Sequence, residues 1–360
     1  MNWKVKLVLF SLLLGWCILL GYIAINLDWS GNEVPLTHEE SKDNGKLPLM
    51  QHWQNLNSDT PVRNVILATD DKTMVGMFAT VNSIISNTNV PVKFHLVTFE
   101  ENVSHLTNWI KKSKLFKISY EIAILRKEWV FPEEKPVKEN DAPPKWSKIM
   151  QYARLYIPKL FPNVKGKIVY LDNDIIVQGS IDQLLNTTID GNYGAFPGDC
   201  TSVSKRFNKN QVTLANYLNF NSPEIKKLKL NPNSCSFNTG VFITDVDIWK
   251  KFNLTASFQH WLQQNARENL IAPQYVGEPI TPIMMIVFNQ KISFIEPMWH
   301  VGHLGFTSGS QYSRSFLRQA KLLHWDGRFK PWRIKTSSMD FWDKYYVPDP
   351  TGKFKLARRS

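Results

Sequence analysis

The sequence is poor in cysteine, with three among its 360 residues. Cys17 lies in an apolar N-terminal segment, so only Cys200 and Cys235 remain for the rest of the chain. These two residues allow one disulfide at most, and a bonded pair and two buried thiols both fit the sequence. A fold that depends on many disulfides is therefore excluded.

The sequence also lacks an internal repeat and any stripe of basic residues, although its formal net charge is +12. The sign of this charge suits an anionic ligand or a nucleic acid. Because the basic residues are scattered, a generally basic surface is the simpler interpretation, and no nucleic-acid partner is predicted. The hydrophobic content of 43% excludes a disordered chain and is enough for one large core or two small ones.

One long apolar run is present at Leu7–Asn26, and it is long enough to cross a bilayer as a helix. Lys4 and Lys6 precede it and acidic residues follow it, which places the N-terminus in the cytosol. The alternative is a cleaved signal peptide, but no small-x-small cleavage site follows the run. We predict a single-pass type II membrane protein with a cytoplasmic tail at residues 1–6, a transmembrane signal anchor at 7–26 and a polar stem at 27–60.

The remainder of the chain is then predicted to lie in the lumen of the secretory pathway. Three Asn-x-Ser/Thr sequons agree with this location without proving it, at Asn102, Asn186 and Asn253.

From residue 62 onward, short strand patterns alternate with helical patterns, which is typical of a mostly parallel sheet covered by helices. The predicted strands are 62–69, 92–98, 119–125, 193–196 and 237–244, together with an apolar run at 167–177. The predicted helices cover about 73–86, a segment from 103, 149–156 and about 247–264. We assign residues 61–335 to this domain and residues 336–360 to a C-terminal tail.

Two carboxylates, Asp172 and Asp174, interrupt the apolar run at 167–177. Side chains two apart on an extended segment lie on the same side, and buried carboxylates need a counter-charge or a metal. Two oxygen donors at the end of a strand suit Mn²⁺ or Mg²⁺, and ligands bind at this edge of open α/β sheets. The alternative is a solvated turn. A second Asp-x-Asp, at Asp245 and Asp247, is predicted to cap a helix instead.

Polar groups also follow the first predicted strand, in Ala68-Thr-Asp-Asp71, and occur in His324-Trp-Asp-Gly-Arg-Phe-Lys-Pro-Trp332. In order, these segments and the acidic pair resemble glycosyltransferase family 8, from about Arg63 to Trp332. The resemblance implies an α/β, GT-A-like single domain with a Rossmann-type, mostly parallel sheet and flanking helices. It also implies a Golgi or other secretory-pathway enzyme that uses a UDP-sugar, with an acceptor that is a glycan, a protein or a lipid.

By the same resemblance, Asp172, Asp174 and His324 hold the metal, and an imidazole among the ligands favours Mn²⁺ over Mg²⁺. Lys330 is assigned to stabilising the leaving diphosphate, and Asp199 is assigned to catalysis beside the transferred sugar. The other donor-binding residues implied by the resemblance are Ala68, Asp70, Arg154, Asn173, Asn238 and Gly327.

Several of these residues have a structural alternative. Asp70 and Asp199 suit turns, Asn238 suits strand-edge pairing, and Arg154 suits an ordinary surface ion pair. His300 and His303 are two nearby imidazoles that no cysteine or carboxylate supports at suitable spacing. We therefore predict that they pack in a loop or line the site rather than bind zinc.

The sequence departs from the family pattern at residues 278–285, where many relatives carry an acidic or amide cluster. Prolines and apolar residues occupy those positions here, so no nucleophile can be assigned. Retention of anomeric configuration, which the resemblance implies, is then expected to proceed by front-side attack of the acceptor hydroxyl. A membrane-anchored nucleotide-sugar-binding protein without turnover is the second hypothesis. A basic extracellular adhesion module is the third, but it leaves the acidic pair unexplained.

Overall fold

The computed structural model describes residues 61–130, 149–200, 212–275, 278–307, 312–336 and 338–358. The predicted tail, signal anchor and stem at residues 1–60 therefore lie outside the described residues. Among the residues that are described, no helix combines the length and apolar character needed to cross a membrane.

Nine strands are described, and seven of them form one sheet in the order β3-β2-β1-β4-β7-β6-β8. The remaining two, β5 and β9, pair with each other in antiparallel orientation. In the large sheet all neighbours are parallel except β7, which runs antiparallel to β4 and to β6. The strands are β1 Arg63–Ala68, β2 Val92–Thr98, β3 Ser119–Ile124, β4 Lys167–Leu171, β5 Ile175–Val177, β6 Gly194–Phe196, β7 Val241–Asp245, β8 Ile292–Phe294 and β9 Leu322–His324.

Helices flank the sheet, as the alternation of patterns predicts. The α-helices are α1 Met74–Asn87, α2 Val103–Lys112, α3 Ile157–Leu160, α4 Ile181–Leu185, α5 Pro223–Lys227, α6 Val246–Lys251, α7 Leu254–Arg267, α8 Ile280–Val287, α9 Arg314–Gln319 and α10 Met339–Asp343. Short 3-10 helices cover Glu100–Asn102, Lys127–Trp129, Gln151–Leu155, Leu214–Asn216, Pro273–Tyr275 and Pro297–Trp299.

Both faces of the sheet are buried because its central strands are apolar on both sides. In β1, Val65 and Leu67 pack in one core, whereas Ile66 and Ala68 pack in the other. Strands β1 and β4 are parallel neighbours, with Leu67 opposite Leu171. The segments that follow them, which carry Asp70 and Asp172, therefore leave the sheet at the same edge.

The interpretation of residues 167–177 as one strand is wrong. Strand β4 ends at Leu171, and β5 begins at Ile175 in the other sheet, so Asp172 and Asp174 lie in a turn between them. The turn is held by the backbone N–H of Asp172, which donates to the carbonyl of Gly240 at 2.7 Å. Apolar residues on both sides conceal this break in the sequence.

Three further predictions of local structure need correction. The segment 149–156 is mostly a 3-10 helix, Gln151–Leu155, and the strand predicted at 237–244 begins only at Val241. The helix predicted at 247–264 is split into α6 and α7, because Asn253 has a φ of 47° and interrupts the helical backbone. The predicted cap is confirmed, since Asp245 accepts hydrogen bonds from the backbone of Asp247 and Ile248.

The segment assigned by sequence to a C-terminal tail packs against the core. Trp342, Tyr345 and Val347 are buried, and the side chain of Asn82 donates to the carbonyl of Tyr345 at 2.8 Å. Of the three sequons, Asn102 is buried, whereas Asn186 and Asn253 are exposed. Attachment of a glycan is therefore compatible with the last two only.

Candidate metal centre

The three predicted metal ligands converge in the structure. One ligand atom from each of Asp172, Asp174 and His324 lies within 4.8 Å of the others. Asp172 and Asp174 lie in the turn between β4 and β5, and His324 is the last residue of β9. In the small sheet Ile175 pairs with His324, and this register brings the histidine beside the acidic turn.

Asp174 contacts two cationic side chains. Its carboxylate accepts a hydrogen bond from Nζ of Lys330 and lies 3.0 Å from Nε2 of His324. Burial alone would raise the pKa of Asp174, but the positive charges of Lys330 and His324 outweigh it and lower the pKa. Lys330 also donates to the carbonyl of Trp325 at 2.6 Å, which holds the segment after β9 against the acidic turn.

Asp172 is paired with a buried cation. Arg154, which is 4% exposed, donates from Nη2 to Oδ1 of Asp172 at 2.7 Å and from Nη1 to the carbonyl of Thr239 at 2.9 Å. Burial raises the pKa of Asp172, Arg154 lowers it, and the carboxylate of Asp174 raises it further, so the net shift is upward. The alternative of a surface ion pair for Arg154 is therefore wrong.

His324 is held by a second histidine. Its Nδ1 lies 2.9 Å from Nε2 of His300, and the two rings meet edge to face. Burial would lower the pKa of His324, but Asp174 raises it above its ordinary value. Burial and the charge of His324 place the pKa of His300 well below its usual range. A second group of ligand atoms, from His300, His324 and Asp326, also lies within 4.8 Å.

The residues present fit a divalent cation. Two carboxylates and an imidazole form a donor set that suits Mn²⁺. A Cβ atom at Gly240 would lie 2.4 Å from Oδ2 of Asp172 and 2.8 Å from Cε1 of His324. The space beside these two predicted ligands therefore depends on glycine at position 240, a requirement that the sequence analysis missed.

The segment predicted to contact a nucleoside lies next to the acidic turn. The carbonyl of Ala68 accepts a hydrogen bond from the side chain of Asn173 at 3.1 Å. Asp70 is buried, and its Oδ1 accepts from the backbone N–H and the hydroxyl of Thr73. Its Oδ2 is buried and has no hydrogen-bond partner among the described residues. Asp70 thus adopts the turn named as its structural alternative, while its second carboxylate oxygen remains without a hydrogen bond among the described residues.

The other predicted residues make local contacts. Oδ1 of Asn238 accepts from the backbone N–H of Gly240 at 2.8 Å and so fixes the turn that precedes β7. A Cβ atom at Gly327 would lie 2.3 Å from the carbonyl oxygen of Gly305, so this glycine is needed where two loops pack. Asn238 and Gly327 therefore each have a role in the fold that does not depend on a ligand.

Asp199 lies beside a disulfide between Cys200 and Cys235, whose Cα atoms are 5.8 Å apart. The structure therefore selects the bonded pair over two free thiols. Oδ2 of Asp199 accepts from the hydroxyl of Ser236 at 2.6 Å. Burial raises the pKa of Asp199 to about 6, although the hydrogen bond from Ser236 opposes the shift.

Two more polar residues near the centre were not predicted as functional. Asp326 has a buried Oδ1 without a partner among the described residues, and burial raises its pKa although His324 lowers it. The hydroxyl of Thr281, on α8, lies 2.9 Å from that of Thr239. Helix α8 therefore places a hydroxyl, and not a carboxylate, beside Thr239, the residue that accepts a hydrogen bond from Arg154.

Comparison with known proteins agrees with the motifs. The model of the family described as "Glycosyl transferase family 8" matches residues 64–336. Glycosyltransferase 8 domain-containing protein 1 of Rattus norvegicus is 40% identical over 300 residues, which cover 82% of this chain and 80% of that protein. Glycosyltransferase 8 domain-containing protein 2 of Bos taurus is 35% identical over 326 residues, or 89% of this chain and 90% of that protein.

The fold also has a counterpart among solved structures. The crystal structure of an active-site mutant of LgtC superposes with a TM-score of 0.55 at 14% sequence identity. The match covers 78% of this chain and 94% of that one. At this level of identity the comparison shows a shared fold, a GT-A-like α/β domain with a mostly parallel sheet and flanking helices.

Proposed function

The chain belongs to glycosyltransferase family 8, and from this membership we propose that it is a metal-dependent, retaining glycosyltransferase with a UDP-sugar donor. Its acceptor is a glycan, a protein or a lipid. We place it in the Golgi or another secretory compartment as a type II membrane protein anchored by residues 7–26. The observation that carries the proposal is the convergence of Asp172, Asp174 and His324 within 4.8 Å.

Transfer of a sugar from UDP leaves a diphosphate anion, so the leaving group is the main chemical difficulty. A divalent cation, when bound, supplies Lewis-acid stabilisation of that negative charge. Lys330 already lies at the centre through its bond to Asp174, and its ammonium group adds positive charge for the diphosphate. Arg154 fixes the orientation of Asp172 through its planar fork.

The nucleoside end of the donor is assigned to Ala68 and Asp70. The unpartnered Oδ2 of Asp70 is an acceptor for a ring N–H of uracil or a hydroxyl of ribose. Asp199 and Asn238 are assigned to the transferred sugar. Because α8 carries no carboxylate, front-side attack by the acceptor hydroxyl remains the proposed route to retention.

The test measures UDP binding and UDP release by the full-length protein across a panel of UDP-sugars, with Mn²⁺ and with EDTA. We expect Asp174→Asn and His324→Ala to abolish metal-dependent UDP binding and turnover. Each also breaks a buried ion pair and should lower the thermal unfolding midpoint, so binding is measured at a temperature where circular dichroism shows both variants to be folded. Asp245→Asn is the matched control, since it alters the other Asp-x-Asp and asparagine also caps helices. Normal binding of UDP and Mn²⁺ by both site variants would show that the centre is misplaced.

A second candidate is a nucleotide-sugar-binding protein without turnover. It is favoured by α8, whose buried residues are apolar where many relatives carry acidic or amide groups. The same measurements separate the two candidates. Tight, Mn²⁺-dependent binding of UDP with no turnover of any donor would support the second.

A further inference from the structure

A cavity of about 280 Å³ lies between the segment before α1, helix α2 and the C-terminal segment. Four basic side chains line it, together with one carboxylate, Asp71. The basic residues are Lys72, Arg333, Lys353 and Lys355. None of the residues Asp172, Asp174, His324 and Lys330 lines the cavity, although Asp71 and Trp332 end the two motifs assigned to the donor. Its basic residues therefore need an explanation apart from the metal.

The positive charge of this cavity exceeds the negative charge within it. Asp71 is already engaged, because its Oδ1 lies 2.9 Å from Nζ of Lys353 and 3.0 Å from Nδ1 of His105. Lys72, Arg333 and Lys355 are exposed, and none forms an ion pair with a carboxylate in the part of the chain that the structure describes. Three cations therefore face one concave surface without internal compensation, an arrangement that attracts anions.

The C-terminal wall of the cavity is fixed at both ends. Upstream, Oδ2 of Asp349 lies 2.9 Å from Nε2 of His105 and accepts from the backbone N–H of Phe354 at 2.8 Å. Downstream, Arg358 donates to Asp343 at 3.0 Å. The backbone that carries Lys353 and Lys355 is thus positioned before any ligand arrives, which reduces the entropic cost of binding.

The cavity also has an aromatic part. Trp332 and Phe354 line it, and Phe354 stacks on Trp109 with ring centroids 6.1 Å apart. Trp332 is 3% exposed, and its indole N–H has no acceptor among the described residues. A volume of about 280 Å³ lies just below the range of drug-sized ligand sites, which begins at about 300 Å³. It suits a ligand of monosaccharide size and is small for a whole nucleotide sugar.

We propose that this cavity is a second ligand site, separate from the donor site, which binds a phosphate or sulfate ester of a monosaccharide-sized molecule. The basic side chains meet the tetrahedral anion, and the aromatic wall contacts the ring that carries it. Its wall at residues 353–357 lies beyond residues 64–336, which the family model matches. The site therefore depends on the C-terminal segment as well as on the family domain.

The experiment titrates glucose 6-phosphate, glucose 6-sulfate and glucose into the full-length protein by calorimetry, with and without UDP and Mn²⁺. We expect an ester to bind and glucose to bind at least about tenfold more weakly, since charged hydrogen bonds dominate the contact. The double variant Lys72→Ala/Arg333→Ala should lose about tenfold or more in ester affinity. The matched control, Lys111→Ala/Lys112→Ala, removes two exposed charges from α2 outside the cavity and should bind as wild type does.

Preference for one ester would identify the anion and support the site. Equal ester affinity of Lys72→Ala/Arg333→Ala and wild type would overturn the proposal. A loss of affinity in this variant supports it when its thermal unfolding midpoint matches that of the wild type. Absence of ester binding to the wild type would also overturn it, as would complete displacement of the ester by UDP, which would place the ester in the donor site. Asp174→Asn should keep ester binding, so failure of the proposed metal centre is distinguishable from failure of this site.

Discussion

Nε2 of His300 lies 2.9 Å from Nδ1 of His324, so one histidine holds the other. The pKa of His300 is well below its usual value and that of His324 is raised by Asp174, so we expect His324 to donate through Nδ1 to the neutral ring of His300. This bond directs Nε2 of His324 toward Asp174, which lies 3.0 Å away. His300 is therefore a positioning residue for a predicted metal ligand, in the role that carboxylates and carbonyls usually fill.

Replacement of His300 by Phe should weaken Mn²⁺ binding by about 10- to 100-fold, as is typical when the partner of a metal-bound histidine is removed. His300→Gln should retain more affinity, because its amide oxygen can accept the same hydrogen bond. Free Mn²⁺ measured by electron paramagnetic resonance provides the affinities. Wild-type affinity in His300→Phe would contradict this role.

Gly240→Ala tests the space beside the predicted ligands. The added methyl group would lie 2.4 Å from Oδ2 of Asp172, so the turn must shift and the ligand geometry must change. We expect Mn²⁺ affinity to fall by about tenfold or more, as for other disturbances of ligand orientation. Gly198→Ala is the control, because the atoms nearest to its methyl group would be those of the exposed ring of Phe294. Equal Mn²⁺ affinity in the two variants would argue against the close fit at position 240.

Much of the fold follows from the sequence because local patterns decide it. Strand β2 occupies the predicted residues 92–98, and β1 and α1 lie within one residue or so of their predicted bounds. Apolar alternation and helical periodicity carry this information without reference to the rest of the chain. The break after Leu171 was missed because the interactions that cause it are non-local, in particular the bond from Asp172 to Gly240.

The candidate site was predictable only in part, for the same reason. Asp172, Asp174 and His324 were found through the order of their motifs, which the register of β5 and β9 then explains. The contribution of His300 depends on the β-bridge between Val301 and Leu323. A single bridge has no sequence periodicity from which it could be predicted. The basic cavity is formed by segments that meet through the contact between Asp71 and Lys353, which are 282 positions apart. No local sequence pattern predicts a pairing at that separation.

Asp199 should make stability depend on pH in an unusual direction. Its pKa is about 6 in the folded protein against 3.8 for the unfolded chain, so the folded state holds the proton more tightly. That contribution is fully present below pH 3.8 and is lost as the pH rises through about 6. The free energy of unfolding of the wild type, minus that of Asp199→Asn, should therefore decrease as the pH rises from 3.8 to about 6. Above about pH 6 this difference should stay constant. Urea unfolding at a series of pH values measures the free energy of unfolding of both proteins. A difference between them that does not change with pH would contradict the raised pKa of Asp199.

Arg154 tests whether the buried ion pair supports the fold. In Arg154→Met the carboxylate of Asp172 and the carbonyl of Thr239 lose their donor, which should lower the free energy of unfolding by about 3–5 kcal/mol. Arg154→Lys should lose less stability, since an ammonium group keeps the positive charge but lacks the planar guanidinium geometry that donates to both acceptors. Arg314→Met is the matched control, because Arg314 forms an ion pair with Asp340 on the protein surface. Such exposed pairs contribute at most about 1 kcal/mol to the free energy of unfolding. Equal losses in urea unfolding for Arg154→Met and Arg314→Met would show that the buried ion pair stabilises the fold no more than the exposed one does.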